Sequence, residues 1–152
     1  RAIETMIEQV QAFCNPMQVL PAEGDLNHWI EQRFPDWQRQ LAPRSIQLDA
    51  EGPGEVLPTS VDWPRLAQGL DGLILFWAGP SHPDGPIHLS WGRGPDHVWI
   101  RFESETSLLS SNTDPQSLAI PLLARVLRAH QGTLAISAEA TLIELSWPAE
   151  RL

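Results

Sequence analysis

The sequence predicts an α/β fold of the α+β kind: a two-layer sandwich with a single mixed, largely antiparallel sheet and helices on one face. Three observations lead there. Each longer strand candidate alternates, so each has one dry and one wet face. The stretch Ser117 to Ile136, SLAIPLLARVLRAHQGTLAI, reads as a helix, a tight turn and a strand. The order along the chain is helix, helix, strand, short strand, helix, strand, strand, loop, helix, strand, strand, which places helices and strands in two packed layers.

Residues 1–17 read as the end of a dimerisation or linker helix. Ile3, Ile7, Val10, Cys14 and Met17 recur at four, three, four and three, an a/d-like seam of the kind that pairs with a partner helix. The other reading is a helix packed on its own domain. Asn15-Pro16 stops it, because the residue before proline is pushed out of the helical region. Residues 18–152 then form one domain, and 152 residues in all suffice for a real core.

Asp25 caps the next helix, with Leu26, Trp29 and Ile30 on one side; Pro35 kinks it, Trp37 and Leu41 continue the apolar face, and Pro43 ends it. Ser45 to Ala50 alternates as a strand with Ile46 and Leu48 inward. A Gly52-Pro53-Gly54 turn and a short extended piece around Val56 and Leu57 follow. Asp62 caps a helix with Pro64 in its first turn and a stripe of Leu66, Leu70, Leu73, Ile74 and Trp77. Gly69 and Gly72 inside it each cost about 1 kcal/mol relative to alanine.

Ile87, Leu89 and Trp91 make one face of a strand, and Gly92 to Asp96 reverse the chain. Val98, Ile100 and Phe102 face inward on the strand that follows, while Trp99, flanked by His97 and Arg101, faces the other way. A lone exposed Trp is ordinary; the sharper reading is a partner-binding anchor. Residues 104–116 are polar and loop-like. In the organising helix Leu118, Leu122, Leu123, Val126 and Leu127 form the stripe, and Gly132 is the expected left-handed cap. Leu134 and Ile136, then Ile143 and Leu145, face inward on the last two strands.

Composition narrows the function classes. Ten basic against 19 acidic side chains give a formal net charge of −9, which argues against nucleic acid and against an anionic membrane surface. No apolar run approaches the ~20 residues of a membrane span. The chain opens on Arg1 without a signal peptide, so it reads as a piece of a longer protein. The single Cys14 excludes an internal disulfide and fits a reducing, cytoplasmic setting. The five histidines show no metal-ligand spacing with Cys14. Glu103 and Glu105 share a strand face, where solvation is the simpler reading.

Several local patterns, taken in order, resemble the ATP-binding domain shared by histidine kinases and gyrase, the Bergerat or GHKL fold. The resemblance runs from Arg1 to Pro148. Asp25-Leu26-Asn27 matches the D-L-N that opens the family's first helix. Asp62, Arg65, Leu66 and Gln68 match D-x-x-R-L-x-Q. The final helix, aligned on His130 and Gly132, matches every apolar position of G-L-G-L-x-I-V-x-x-I-V-x-x-H-G-G, and Trp147-Pro148 matches the closing L-P.

The resemblance implies a bacterial two-component signalling protein and a nucleotide site, but the site positions depart from the pattern. The helix asparagines that would face nucleotide and Mg²⁺ are Gly72 and Phe76. The D-x-G-x-G that would hold adenine is Ser104, Thr106 and Leu108. The glycines that would cradle phosphate are Ser117 and Ala119, and the lid is cut to Leu109–Gln116. A hard cation wants oxygen ligands, and neither Gly72 nor Phe76 offers one. Losing the adenine contact and a comparable phosphate contact removes about 3–6 kcal/mol.

The expectation is therefore a degenerate, non-catalytic domain that needs no cofactor. It would dock a response-regulator receiver domain or its parent's own helical hairpin, within a longer homodimeric protein. Two alternatives stay open: an active histidine kinase domain that binds Mg-ATP, and an ATP-independent phosphotransfer protein.

Overall fold

The computed structural model describes residues 17–79, 83, 85–109 and 118–149. Seam residues Ile3, Ile7, Val10 and Cys14 lie outside them, as does Ser117; Met17 lies within and is half-buried. Strand β1 is Ala22–Asp25 and helix α1 Leu26–Leu41, followed by a 3-10 turn at Ala42–Arg44. Then come β2 (Leu48–Glu51), β3 (Pro58–Val61), α2 (Trp63–Trp77), β4 (Ile87–Arg93), β5 (His97–Ser104), α3 (Ala119–Ala129), β6 (Thr133–Ile136) and β7 (Leu142–Pro148).

The main sheet has the order β2-β4-β5-β7-β6. It is mixed and largely antiparallel: β2 runs parallel to β4, and every other pairing is antiparallel. Its inner face is apolar in every long strand. Ile87 and Leu89, then Val98, Ile100 and Phe102, then Ile143 and Leu145 are all fully buried. Against it α2 presents Leu66, Leu70, Leu73, Ile74 and Trp77, all fully buried as their spacing predicts. Burial of side chains this size stabilises the fold by about 1.5–3 kcal/mol each.

The fold holds one sheet more than expected. β1 and β3 pair antiparallel as a separate ribbon, Ala22 opposite Val61 and Asp25 opposite Pro58. The ribbon carries no alternation strong enough to announce a strand at residues 22–25, and it forms because it brackets two helix caps. Asp25 accepts from the Asn27 N–H (3.1 Å) and from the Leu57 N–H (2.8 Å), so one carboxylate caps α1 and closes the ribbon. The extended piece expected at Val56 and Leu57 lies a residue or two later. Val56 is 70% exposed, whereas Leu57 is buried.

The end of α3 corrects another expectation. The left-handed residue is Gln131, at φ 61°, and not Gly132. Gln131 N–H donates to the Arg128 carbonyl (2.9 Å) and Gly132 N–H to the Leu127 carbonyl (2.7 Å), the paired bonds of a Schellman motif. Gly132 is needed for another reason. A Cβ there would overlap the Ser146 carbonyl oxygen and lie 3.0 Å from Trp147 Cα, so the glycine lets the turn press onto β7. The helix stripe also starts late. Leu123, Val126 and Leu127 are fully buried, but Leu118 stands 71% exposed just ahead of the helix, and Ile136 on the edge strand β6 is 37% exposed.

Two opposite outcomes are expected from neighbouring positions. Gln131→Gly removes a left-handed side chain and should stabilise the fold by about 0.5–1 kcal/mol. Gly132→Ala should destabilise it by about 1–3 kcal/mol through forced displacement of β7. Urea denaturation of both variants checks the pair; equal effects would contradict this reading of the turn.

Candidate functional site

The site positions expected from the sequence fall on α2, the loop after β5 and the first turn of α3. The cap of α2 is Asp62, whose carboxylate accepts from the Arg65 N–H at 3.1 Å. From there the helix carries Gly69, Gly72 and Phe76 towards α3. A Cβ on Gly69 would lie 2.5 Å from Leu123 Cδ2, and one on Gly72 would lie 3.9 Å from Ala119 Cβ. The structure therefore brings Gly72 and Ala119 together across the α2–α3 contact. Phe76, one turn beyond Gly72, is half-buried and packs against the core cluster that includes Leu108 and Ala119.

The loop after β5 is tied in place by its own backbone. The Ser104 hydroxyl accepts from the Thr106 N–H at 3.2 Å, a short side-chain turn. Leu108 is only 1% exposed. Its N–H donates to the Ala140 carbonyl (2.7 Å), and its carbonyl accepts from the Trp77 indole N–H (2.8 Å). Trp77 in turn meets Phe102 edge-on, with ring centroids 5.1 Å apart. An apolar side chain and two committed backbone groups thus stand where the resemblance implies a glycine. Periodicity identifies Trp77 as core but does not reveal that its indole holds this loop.

The outer face of the sheet carries the other expected group. The Trp99 ring lies against Gly92, directly opposite on β4, where a Cβ would come within 2.8 Å of it. The Arg101 guanidinium sits 4.4 Å from the ring centroid and donates to Glu144 Oε1 through Nε (2.9 Å) and Nη2 (2.7 Å). Trp99 is on the wet face as expected, half-buried against Gly92 and beside the Arg101 guanidinium. His97 Nδ1 pairs with Asp96 at 2.9 Å. That bond, opposed by desolvation, holds the Asp96 carboxyl below its ordinary range. Among the described residues no three His, Cys, Asp or Glu side chains are grouped to hold a metal ion, and no helix is long and apolar enough to cross a membrane.

Solved structures similar to this architecture include histidine kinases. The histidine kinase AdeS of Acinetobacter baumannii superposes with a TM-score of 0.70 at 15% identity, over 97% of this chain and 76% of its own. The catalytic domain of histidine kinase ThkA gives 0.67 at 13% identity, over 86% of this chain and 99% of that domain. ThkA in complex with the response regulator protein TrrA gives 0.69 at 15% identity; there this chain is covered over 98% but spans about half, 48%, of the kinase chain. No family model matches the sequence, and no curated protein matches it. The fold is that of a histidine-kinase catalytic domain, an assignment carried by architecture at identities too low to carry chemistry.

The α2–α3 contact yields a paired expectation. Gly72→Ala adds a methyl group with ordinary room and should stabilise the fold by about 1 kcal/mol, the helix-propensity gain. Gly69→Ala gains the same propensity but must displace buried Leu123, so it should be neutral or destabilising by about 1–2 kcal/mol. Thermal unfolding of the two variants decides. A stabilising Gly69→Ala would mean that the helices do not cross so closely.

Proposed function

We propose that this chain is a histidine-kinase-like domain of a bacterial two-component signalling protein that has given up nucleotide binding and acts as a structural or docking module. The observation that carries this reading is Leu108. Its buried side chain stands at a position where the resemblance implies close approach of the adenine base. Its backbone groups are already bonded to Ala140 and Trp77. Admitting a base there would expose the leucine and break both bonds. Gly72 and Phe76 support the reading from the other wall, since neither side chain supplies the oxygen ligand that Mg²⁺ requires. The reading includes no cofactor.

Titration calorimetry of the wild-type chain with Mg-ATP and Mg-ADP tests this. The expected result is no saturable heat at micromolar ligand. Micromolar affinity would restore the active-kinase reading.

A docking role has its support in the ThkA–TrrA complex, where a kinase with this fold holds a response regulator. A receiver domain is therefore the proposed partner, with the outer sheet face around Trp99, His97 and Arg101 as its surface. The a/d seam at residues 3–17 would pair two copies in the longer protein. Trp99→Ala should weaken receiver docking by about 2 kcal/mol, roughly thirtyfold. It should also lower stability, because the ring covers Gly92 and carries Arg101. Arg101→Gln separates the two effects. Receiver affinity unchanged by both variants would remove this face from consideration.

A further inference from the structure

At the β2 end of the sheet, away from α3, an open cleft of about 380 Å³ lies between α1 and the β2–β3 connection. It is lined by Asn27, Glu31 and Phe34 from α1, Ala50, Gly52 and Gly54 from β2 and the turn after it, and Trp91 from β4. The volume is within the range of small-ligand sites.

The observation that points to a ligand is Asn27. It is 8% exposed, yet only half of its amide is used. The Oδ1 accepts from the Trp91 indole N–H at 3.0 Å, a buried bond. An indole N–H can only donate, so the oxygen must face Trp91 and the orientation of the amide is fixed chemically. The Nδ2 group has no protein hydrogen-bond partner and reaches the solvent of the cleft. Water satisfies its donors in the free protein, and a ligand acceptor binds there by taking the place of that water.

The remaining lining selects the rest of the ligand. Glu31 stands one turn along α1 on the same face and is exposed; among the described residues it has no ion-pair partner and is the only charged residue of the lining. Phe34, a turn further, and the edge of Trp91 give apolar walls. An anion would meet Glu31 with no compensating cation. A purely apolar ligand would displace that water and give Asn27 Nδ2 no acceptor in return. A planar cation with a carbonyl nearby satisfies both groups: the carbonyl accepts from Asn27 Nδ2, and the guanidinium lies along Phe34 and donates to Glu31.

We propose that this cleft binds a guanidinium compound bearing a neighbouring carbonyl, either a free arginine-like molecule or an arginine side chain and its backbone carbonyl on a partner. The site is separate from the α2–α3 region and does not depend on the function proposed above.

Argininamide, its neutral isostere citrullinamide and the tripeptide Gly-Arg-Gly, added to the whole ¹⁵N-labelled chain, test the proposal by NMR. The expected result is saturable shifts of the Asn27 side-chain amide and the Trp91 indole N–H with argininamide or the tripeptide. Citrullinamide should bind at least about tenfold more weakly, since a charge-assisted bond to Glu31 is lost. Glu31→Gln, at an exposed position that leaves the fold intact, should weaken the cation by a similar factor and leave citrullinamide unchanged. Tighter binding of the tripeptide assigns the site to a partner chain, and tighter binding of argininamide to a free ligand. Absence of saturable shifts at Asn27 and Trp91, or equal binding of cation and isostere, overturns the proposal. So does a Glu31→Gln variant that binds argininamide as wild type does.

Discussion

Asp62 ties together three parts of the chain that are far apart in sequence. One carboxylate oxygen caps α2 through the Arg65 N–H, and the other accepts from the Leu20 N–H at 2.8 Å, fixing the segment that enters β1. Its own N–H donates to His130 Nε2 at 2.9 Å, at the end of α3. His130 Nδ1 lies 2.7 Å from the Val126 carbonyl. The ring therefore donates to Val126 from Nδ1 and accepts from Asp62 at Nε2, which makes it the neutral Nδ1–H tautomer. With Asp62 only 7% exposed, these part-buried bonds are partly shielded from water, and leaving its carboxylate unpaired is expensive. The α2–α3 contact, and with it the closed region at Gly72 and Ala119, depends on this joint between the start of one helix and the end of the other.

Around that joint the fold is pinned by tryptophans. The chain has seven Trp and no Tyr. Five indoles use their single N–H to bridge separate elements: Trp37 to Asp71, Trp63 to the Ala22 carbonyl, Trp77 to the Leu108 carbonyl, Trp91 to Asn27 and Trp147 to Thr59 Oγ1. A Trp buries a large apolar surface while fixing one directional bond. Three of the rings lie against glycines, Trp63 on Gly24, Trp91 on Gly52 and Trp99 on Gly92, filling space that a missing side chain leaves. The closure at Leu108 is one member of this set, so it is part of the same framework that holds the sheet to its helices.

Legibility in the sequence followed the strength of the local signal. The α2 stripe and the inward faces of β4, β5 and β7 were readable because helical spacing and strict alternation are imposed by burial itself. The caps Asp25 and Asp62 were readable because a carboxylate ahead of an apolar run has few other uses. The β1–β3 ribbon was not, since its four-residue strands owe their form to caps and tertiary bonds. Nor was the left-handed Gln131, because sequence preference puts glycine there and packing against β7 claimed the glycine one residue later. At the candidate site, the identities of Gly72, Phe76 and Leu108 were visible as departures from a pattern. What holds Leu108 in place, a bond from Trp77 across 31 positions, has no local signature. The cleft at Asn27 was hidden for the same reason: its floor, Trp91, is 64 positions away.

We propose that the chain itself occupies the place where a nucleotide base would enter, and the Trp77 indole N–H is placed to report on it directly. Hydrogen exchange of that proton, followed by NMR with and without Mg-ATP, is the decisive measurement. Exchange as slow as that of the core amides is expected, because opening requires the loop to leave Ala140 as well as Trp77, with no change in rate or chemical shift when Mg-ATP is added. Fast exchange in the free protein, or a saturable shift of this resonance with Mg-ATP, would contradict it.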